Sequence, residues 1–236
     1  MSQSNPNPVT DAETAESRWH WLYRIGGAAA LITAVFIPIQ AIVFIAWPPS
    51  STVIDYFTLF QGNWLRGLLD LDLLLIVDQA LLIPMLLALY VALRRSSESF
   101  MAIATTLGLV GIVLYFASRE ATFTMLSLSD QYAAATTDAQ RAMFLAAGQA
   151  MLAIYNGAAF QLSYVLGSVA GIAISVVMLR SNIFSKLTAY MGILANVIGF
   201  GLYVPTIGVY LSLISVVPFL WIWYILIARR LFQLSR

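Results

Sequence analysis

Long apolar runs separated by short polar links are the dominant pattern along the chain. A helix that crosses about 30 Å of hydrocarbon needs roughly 20 apolar residues, and the runs are close to or above that length. Helices are expected because hydrocarbon cannot satisfy the exposed backbone groups of irregular segments. The pattern therefore predicts an all-α integral membrane bundle of six transmembrane helices, at about 22–47, 68–93, 100–118, 157–179, 187–205 and 209–228.

Three polar or mixed stretches lie outside these spans. Residues 1–17 hold no apolar run and are expected to form a polar mobile tail, which leaves 18–236 as a single transmembrane helical domain. Residues 51–66 mix aromatic and polar side chains, which suits an interfacial helix or a cap over the bundle. Residues 138–156 have a helical pattern, so that they either lengthen the fourth span or form a separate shallow helix.

The basic residues predict the orientation of the six spans. With the N-terminus inside, nine of the 12 Lys and Arg residues fall on the cytoplasmic side and three on the outer side. The outer three are Arg66, Arg119 and Arg141. This distribution is the positive-inside bias of membrane proteins, and we therefore expect both termini in the cytoplasm.

Composition excludes several classes of function. Hydrophobic residues make up 61% of the chain and charged residues 10%, whereas soluble domains carry about 25% charged residues. The net charge of +1 gives no support for nucleic-acid binding, which calls for a clustered basic face. No cysteine and one histidine are present, which disfavours thiolate metal sites and His-rich haem or zinc sites. We expect no cofactor and no metal.

Polar side chains interrupt the second apolar run, in the segment DLDLLLIVDQALLIP that begins at Asp70. An Asp at the centre of a membrane helix costs about 2.5–3.5 kcal/mol on insertion scales. On a continuous helix, at about 100° per residue, Asp72 and Gln79 would share a face. Other spans carry polar residues at the same level, which predicts an acid-lined polar cavity in the outer half of the bundle. The candidate binding residues are Asp70, Asp72, Asp78, Gln79, Arg119, Glu120, Asn156, Gln161 and Asn196.

An ion pair is expected in this cavity. Arg119, at the outer end of the third span, is level with Asp70 and Asp72 and should pair with one of them. Arg66 and Asp70 form a second candidate pair at i, i+4 spacing. Structural roles stay open as well, because Asp70 and Asp72 also suit interfacial acids in contact with water. Asp78 suits a protonated carboxyl that bonds a neighbouring helix, a cation or proton site, or a ligand anchor.

Small residues predict close helix packing. Gly167 and Gly171 form a GxxxG pair in the fourth span, and Gly-rich faces recur in the third and fifth. Small residues let helices approach closely in lipid, where hydrophobicity gives them no drive to associate. The simplest interpretation of these small residues is that they allow a tightly packed bundle. The pair at Gly167 and Gly171 is also a candidate contact for a partner membrane protein, in addition to the lipid bilayer itself.

Three segments carry a resemblance to a known family. They are the run LRSNIFSKLTAYMGILANVIGFGLYVP at 179–205, the opening YRIGGAAALI, and the link LRRSSES between spans two and three. From about Trp21 onward this layout resembles the bacterial membrane family called the domain of unknown function numbered 4386. The resemblance implies a six-helix, multi-pass protein of the bacterial inner (plasma) membrane, and it implies no activity.

Three functions are open at this point. The first is a carrier of a cation, a proton or a small polar or lipid ligand, with Asp78 as the titrating group. The second is a non-catalytic membrane subunit or scaffold of a larger complex. The third is an intramembrane enzyme acting on a lipid, which would use paired carboxylates or a hard cation held by Asp70, Asp72 and Glu120. The enzyme is least favoured, because the chain has no HExxH or GxSxG motif.

Overall fold

A computed structural model describes residues 19–47 and 50–236, and every regular element in this part of the chain is helical. The predicted tail at 1–17 lies outside the described residues. The α-helices are α1 (His20–Ala46), α2 (Val53–Gly62), α3 (Trp64–Asp70), α4 (Leu73–Leu93), α5 (Glu98–Ser118), α6 (Glu120–Ala134), α7 (Asp138–Tyr155), α8 (Ala158–Arg180), α9 (Lys186–Gly199), α10 (Gly208–Ile214) and α11 (Trp221–Leu234). A 3-10 turn at Phe200–Tyr203 follows α9, and a π-helix at Ser215–Leu220 joins α10 to α11.

Five helical segments are long and apolar enough to cross a membrane. They are His20–Ala46, Leu73–Leu93, Glu98–Ala134, Asp138–Arg180 and Tyr210–Leu234. Only 28–44% of the most apolar window of each is buried inside the bundle, so large apolar side chains cover their outer faces. The all-α helical bundle predicted from the sequence is therefore confirmed. The predicted fifth span, at 187–205, is not among these five segments, because α9 has only 14 residues. The total of six spans, the membrane side of each terminus and insertion itself stay predictions.

The predicted second span is broken into two helices. α3 ends at Asp70, α4 begins at Leu73, and Asp72 between them has a left-handed backbone with φ of 65°. Asp is one of the few residues with a Cβ that adopt this conformation readily. The prediction that Asp72 and Gln79 share a helix face is therefore wrong, because the two residues do not belong to one helix.

The third and fourth predicted spans continue well beyond the thickness of a bilayer. α5 passes into α6 with an interruption at Arg119, and α7 passes into α8 through a turn at Asn156. Glu98–Ala134 has 37 residues and Asp138–Arg180 has 43, about twice the 20 or so that cross a bilayer. α7 adjoins the fourth span at the Asn156 turn, and whether it lies at the membrane surface stays a prediction.

The ends of these two long helical segments carry a second core. We call the assembly of α2, α3, α6 and α7 the cap, which was one of the two alternatives for residues 51–66. Its buried side chains are Val53, Tyr56, Phe57, Phe60, Leu68, Leu71 and Met125. The Ser129 hydroxyl donates a hydrogen bond to the Phe57 carbonyl at 2.9 Å, and the rings of Phe57 and Tyr132 lie 5.3 Å apart. The cap therefore joins the segment between α1 and α4 to the segment between α5 and α8.

A proline inside α1 is compensated by a tryptophan of another element. Pro38 has no N–H, so the carbonyl of Ala34, four residues earlier, loses its helical donor. The indole N–H of Trp221 donates to that carbonyl at 2.8 Å. α1 also lies very close to α4, because a Cβ at Gly26 would stand 2.5 Å from the Cβ of Ala88. These contacts hold α1 between α4 and α11.

Candidate functional site

A buried ion pair lies where the bundle meets the cap. The Nη2 atom of Arg119 is 2.7 Å from Oδ2 of Asp72, and their side chains are 4% and 8% exposed. The hydroxyl of Tyr115 also donates to Oδ2 of Asp72 at 3.4 Å. The prediction that Arg119 pairs with Asp70 or Asp72 is confirmed for Asp72. Burial of both charges means that each depends on the other for its stabilisation.

Three aromatic rings enclose the guanidinium group of Arg119. Its Cζ atom lies 3.9 Å from the ring centroid of Tyr155, 4.4 Å from that of Tyr115 and 4.6 Å from that of Phe160. Each such cation–π contact is worth about 0.5–2 kcal/mol. The Nη1 atom of Arg119 donates to the Ser118 hydroxyl and to the Tyr155 carbonyl, both at 3.0 Å. The cation is thus held in one orientation by rings, oxygens and the Asp72 carboxylate.

Interruptions of three helices meet at this ion pair. Asp72 occupies the α3–α4 junction, Arg119 occupies the α5–α6 junction, and Tyr155 is the last residue of α7 before the turn into α8. A hydrogen bond of 2.8 Å from the Thr122 hydroxyl to the Leu71 carbonyl also connects the first two junctions. We call this level the junction layer. Every connection of the cap to α4, α5 and α8 passes through it.

A hollow of about 290 Å³ opens beside the ion pair. Its lining residues are Phe44, Ser50, Ser51, Tyr56, Asp70, Asp72, Leu152, Tyr155 and Asn156. We call it the acidic hollow, because two carboxylates and no basic side chain are among these residues. It lies between the end of α1, the cap helix α2, and the α7–α8 junction.

The carboxylate of Asp70 forms no ion pair in the described part of the chain, and the charge of Arg66 acts on it only from a distance. Its Oδ2 atom accepts a hydrogen bond of 3.0 Å from the backbone N–H of Ser50, and no Lys or Arg nitrogen lies within 4 Å of it in the described part of the chain. Arg66 lies instead over the ring of Trp47, with Cζ 5.3 Å from the centroid, so the predicted Arg66–Asp70 ion pair is not formed. Burial raises the pKa of Asp70 above its ordinary value, and the Ser50 N–H opposes part of that rise.

The remaining predicted residues do not gather at the hollow. Asn156 lines it, but Glu120 and Gln161 are exposed, and the Gln161 amide bonds only the Asn156 carbonyl, at 3.3 Å. Gln79 and Asn196 line a different cavity, deeper in the bundle. Among the described residues no three His, Cys, Asp or Glu side chains are grouped as a metal site would need, and Glu120 does not join Asp70 and Asp72.

Asp78 lies apart from the other acids. It is half-buried on α4, next to Thr33 of α1, and it is not among the residues that line the acidic hollow. Its Oδ1 atom, the Thr33 hydroxyl and both amide atoms of Gln40 have no hydrogen-bond partner within residues 19–47 and 50–236. Thr33 and Gln40 therefore place polar side chains on α1 about three turns and one turn before Phe44, which lines the hollow.

Sequence reasoning missed most of the residues that surround Arg119 and Asp70. Tyr115 carried a usable signal, because it precedes Arg119 by four residues and so shares its helix face. Phe160 and Tyr56 carried none, since their positions depend on how α8 and α2 pack. Ser50 contributes only a backbone N–H, which no side-chain pattern reveals.

Comparison with models of protein families, with curated proteins and with solved structures finds no match for this chain. The resemblance to the domain of unknown function numbered 4386 stays a prediction. The candidate site is therefore interpreted from its own geometry.

Proposed function

We propose that the chain is an integral membrane protein that binds a small, singly charged cation in the acidic hollow and carries it across the bilayer. The observation that carries this proposal is the buried Asp70 carboxylate, which faces the hollow with a backbone N–H as its partner. With the N-terminus in the cytoplasm, as the basic residues predict, the hollow would open on the outer side.

The charges at the site favour a single positive charge on the ligand. When all three groups are ionised, Asp70 and Asp72 contribute two negative charges and Arg119 one positive charge. The remainder is one negative charge in a buried location, which Arg66 offsets only from a distance and which is therefore costly. A monovalent cation beside Asp70 would restore neutrality, whereas a divalent cation would leave a net positive charge at the site.

The backbone around the hollow has the form that carriers use at their binding sites. In many transporters, interrupted helices place irregular backbone and polar groups beside the bound ion. Here the junction layer supplies three interruptions, at Asp72, Arg119 and the end of α7. Because Asp78 does not line the hollow, we assign to Asp70, which was also a candidate binding residue, the titrating role that the sequence had suggested for Asp78.

Protons should compete with the cation for Asp70. Burial raises the pKa of this carboxyl, so that a proton neutralises it at a pH where an exposed Asp is already ionised. Binding of the cation would then release a proton. We expect the affinity to fall as the pH is lowered through the range in which Asp70 becomes protonated, and the release of protons on binding to increase over the same range.

Isothermal titration of the purified protein with sodium, potassium, ammonium and choline chlorides tests binding, and flux into proteoliposomes tests transport. We expect one of these cations to bind and to be transported, and Asp70→Asn to abolish both. Asp130→Asn is the matched control, because Asp130 is an exposed acid on α6, away from the hollow. Equal binding by the wild type and Asp70→Asn, or no binding of any of the four cations, would overturn the proposal.

A further inference from the structure

The walls of the acidic hollow combine carboxylates with aromatic rings, and this combination bears on the kind of cation that fits. We propose that the ligand is an alkyl-substituted ammonium ion, bound between the aromatic side chains and the carboxylates of the hollow. The proposal rests on the cation binding proposed above and names the chemical class of the ligand at that same site.

The hollow is much larger than a bare inorganic ion. Its volume of about 290 Å³ is close to the space that about ten molecules fill in liquid water. Pockets for organic ligands begin at about 300 Å³, so that the hollow is near the lower end of that range. A sodium or potassium ion would leave most of this space to water, whereas a nitrogen that carries carbon substituents would fill more of it.

Apolar groups make up a large share of the lining. Of the nine lining residues, four are aromatic or aliphatic, namely Phe44, Tyr56, Leu152 and Tyr155. Rings and aliphatic carbons cannot replace the water shell of an alkali-metal ion, which needs a set of oxygen ligands. They do pack against the alkyl groups of an organic cation, and a ring within about 6 Å attracts its positive charge. The lining therefore favours a cation with an apolar surface.

Phe44 is the ring that packing explains least. It lies two residues before the end of α1, and neither of the two hydrophobic cores of the described chain includes it. Its side chain is half-buried and lines the hollow. A ring at position 44 is therefore available to a ligand in the hollow.

Tyr56 places a second ring beside the two carboxylates. Burial raises the pKa of its phenol, and the nearby charges of Asp70 and Asp72 raise it further. The phenol therefore stays neutral, and it adds no charge to the site. A cation in the hollow would contact an aromatic wall and a carboxylate together.

The protein already stabilises one organic cation by the same combination of groups. The guanidinium group of Arg119 is paired with Asp72 and enclosed by three aromatic rings. One of these rings, Tyr155, also lines the hollow, so that the enclosure of Arg119 and the proposed site share a wall. Rings and a carboxylate that stabilise one carbon-substituted nitrogen cation suit the same chemistry in the adjoining hollow.

Isothermal titration with cations of equal charge tests the ligand class. The full chain in mild detergent is titrated with the chlorides of potassium, ammonium, methylammonium and tetramethylammonium. We expect at least one of the two alkylammonium ions to bind about tenfold more tightly than potassium and ammonium. If neither does so, and potassium still binds in a manner that Asp70→Asn abolishes, this inference is refuted while the proposed cation site stands. If none of the four binds, or if Asp70→Asn leaves binding unchanged, the cation site itself is refuted.

A ring variant tests the aromatic wall. Phe44→Leu keeps an apolar side chain and removes the ring, so it should weaken the binding of tetramethylammonium about 3- to 30-fold. Phe44→Tyr keeps a ring and should weaken binding less. Phe123→Leu is the matched control, because Phe123 is 53% exposed on α6 and does not line the hollow. Equal binding by the wild type and a folded Phe44→Leu protein would refute the inference.

An alkylammonium group can belong to a free solute or to a lipid headgroup, and a second titration distinguishes these sources. The protein is placed in nanodiscs with equal fractions of phosphatidylglycerol, the remainder being phosphatidylcholine in one preparation and an uncharged galactolipid in the other. Weaker binding of tetramethylammonium beside phosphatidylcholine would identify a headgroup as the competing ligand, and equal binding would identify a free solute. Both results support the ligand class, whereas loss of binding in the galactolipid nanodiscs would refute it.

Discussion

Neutralising one partner of the buried ion pair should destabilise the protein strongly. Asp72→Asn leaves the guanidinium group of Arg119 only 4% exposed and without its carboxylate at 2.7 Å. Breaking a buried pair in this way costs about 3–5 kcal/mol, because an uncompensated charge stays in the interior. Arg119→Met should cost a similar amount, since it leaves the Asp72 carboxylate unpaired and removes the two hydrogen bonds to Ser118 and Tyr155.

The double variant separates the ion pair from the packing around it. Asp72→Asn combined with Arg119→Met removes both charges, and the methionine keeps much of the apolar volume among the three rings. Its loss of stability should therefore be smaller than the sum of the two single losses, with an interaction energy of about 1–3 kcal/mol. Purely additive losses would mean that the two side chains do not stabilise each other.

Reversible denaturation in mild detergent, followed by circular dichroism, measures these differences. A loss of about 3–5 kcal/mol corresponds to a fall in Tm of about 6–20 °C for a chain of this size. Asp130→Asn should unfold at the wild-type temperature, because that carboxylate is exposed. If Asp72→Asn unfolds within about 0.5 kcal/mol of the wild type, as surface substitutions do, the pair is accessible to water and the proposed geometry is refuted.

Three further substitutions test other contacts. Trp221→Phe removes the donor to the Ala34 carbonyl and should cost about 1–3 kcal/mol in the free energy of unfolding; in a Pro38→Ala background the restored helical N–H should reduce that cost. Gly26→Val should cost about 1–3 kcal/mol through overpacking between α1 and α4, again measured by denaturation. Because burial raises the pKa of Asp70, the stability that its protonated form provides is complete below the unfolded-state pKa and is lost as the pH rises through the folded-state pKa. Asp70→Asn should therefore gain stability relative to the wild type as the pH is raised, and a constant difference in Tm from acid to neutral pH would contradict this.

The apolar runs predicted the helices of the bundle well because length and composition are local properties. The ends of α1, α4, α5 and α8 fall close to the expected boundaries. The break at Asp72 was missed, because leucines on both sides continue the apolar pattern and a left-handed residue leaves no mark in hydropathy. Because helical spacing was applied across that break, Gln79 was wrongly expected to share a helix face with Asp72.

The candidate site was predicted only in part, for a similar reason. The pairing of Arg119 with an acid could be predicted, since both lie at the same end of their helices and a buried charge needs a partner. The choice of Asp72 over Asp70 could not, because it depends on the path of the backbone between α3 and α4. The separation of Gln79 and Asn196 from the acids likewise follows from the tilt and packing of helices, which a sequence pattern does not contain.

The cap is assembled from segments that the ribosome synthesises at different times. Its core unites two segments that are far apart in the chain, since the hydroxyl of Ser129 bonds the carbonyl of Phe57, 72 residues earlier. During translation, α2 leaves the ribosome long before α6 exists, and the apolar faces of Phe57 and Phe60 lack their partners during that interval. The core of the cap can therefore close only after α6 has been synthesised, which makes its completion a late step in the folding of the chain.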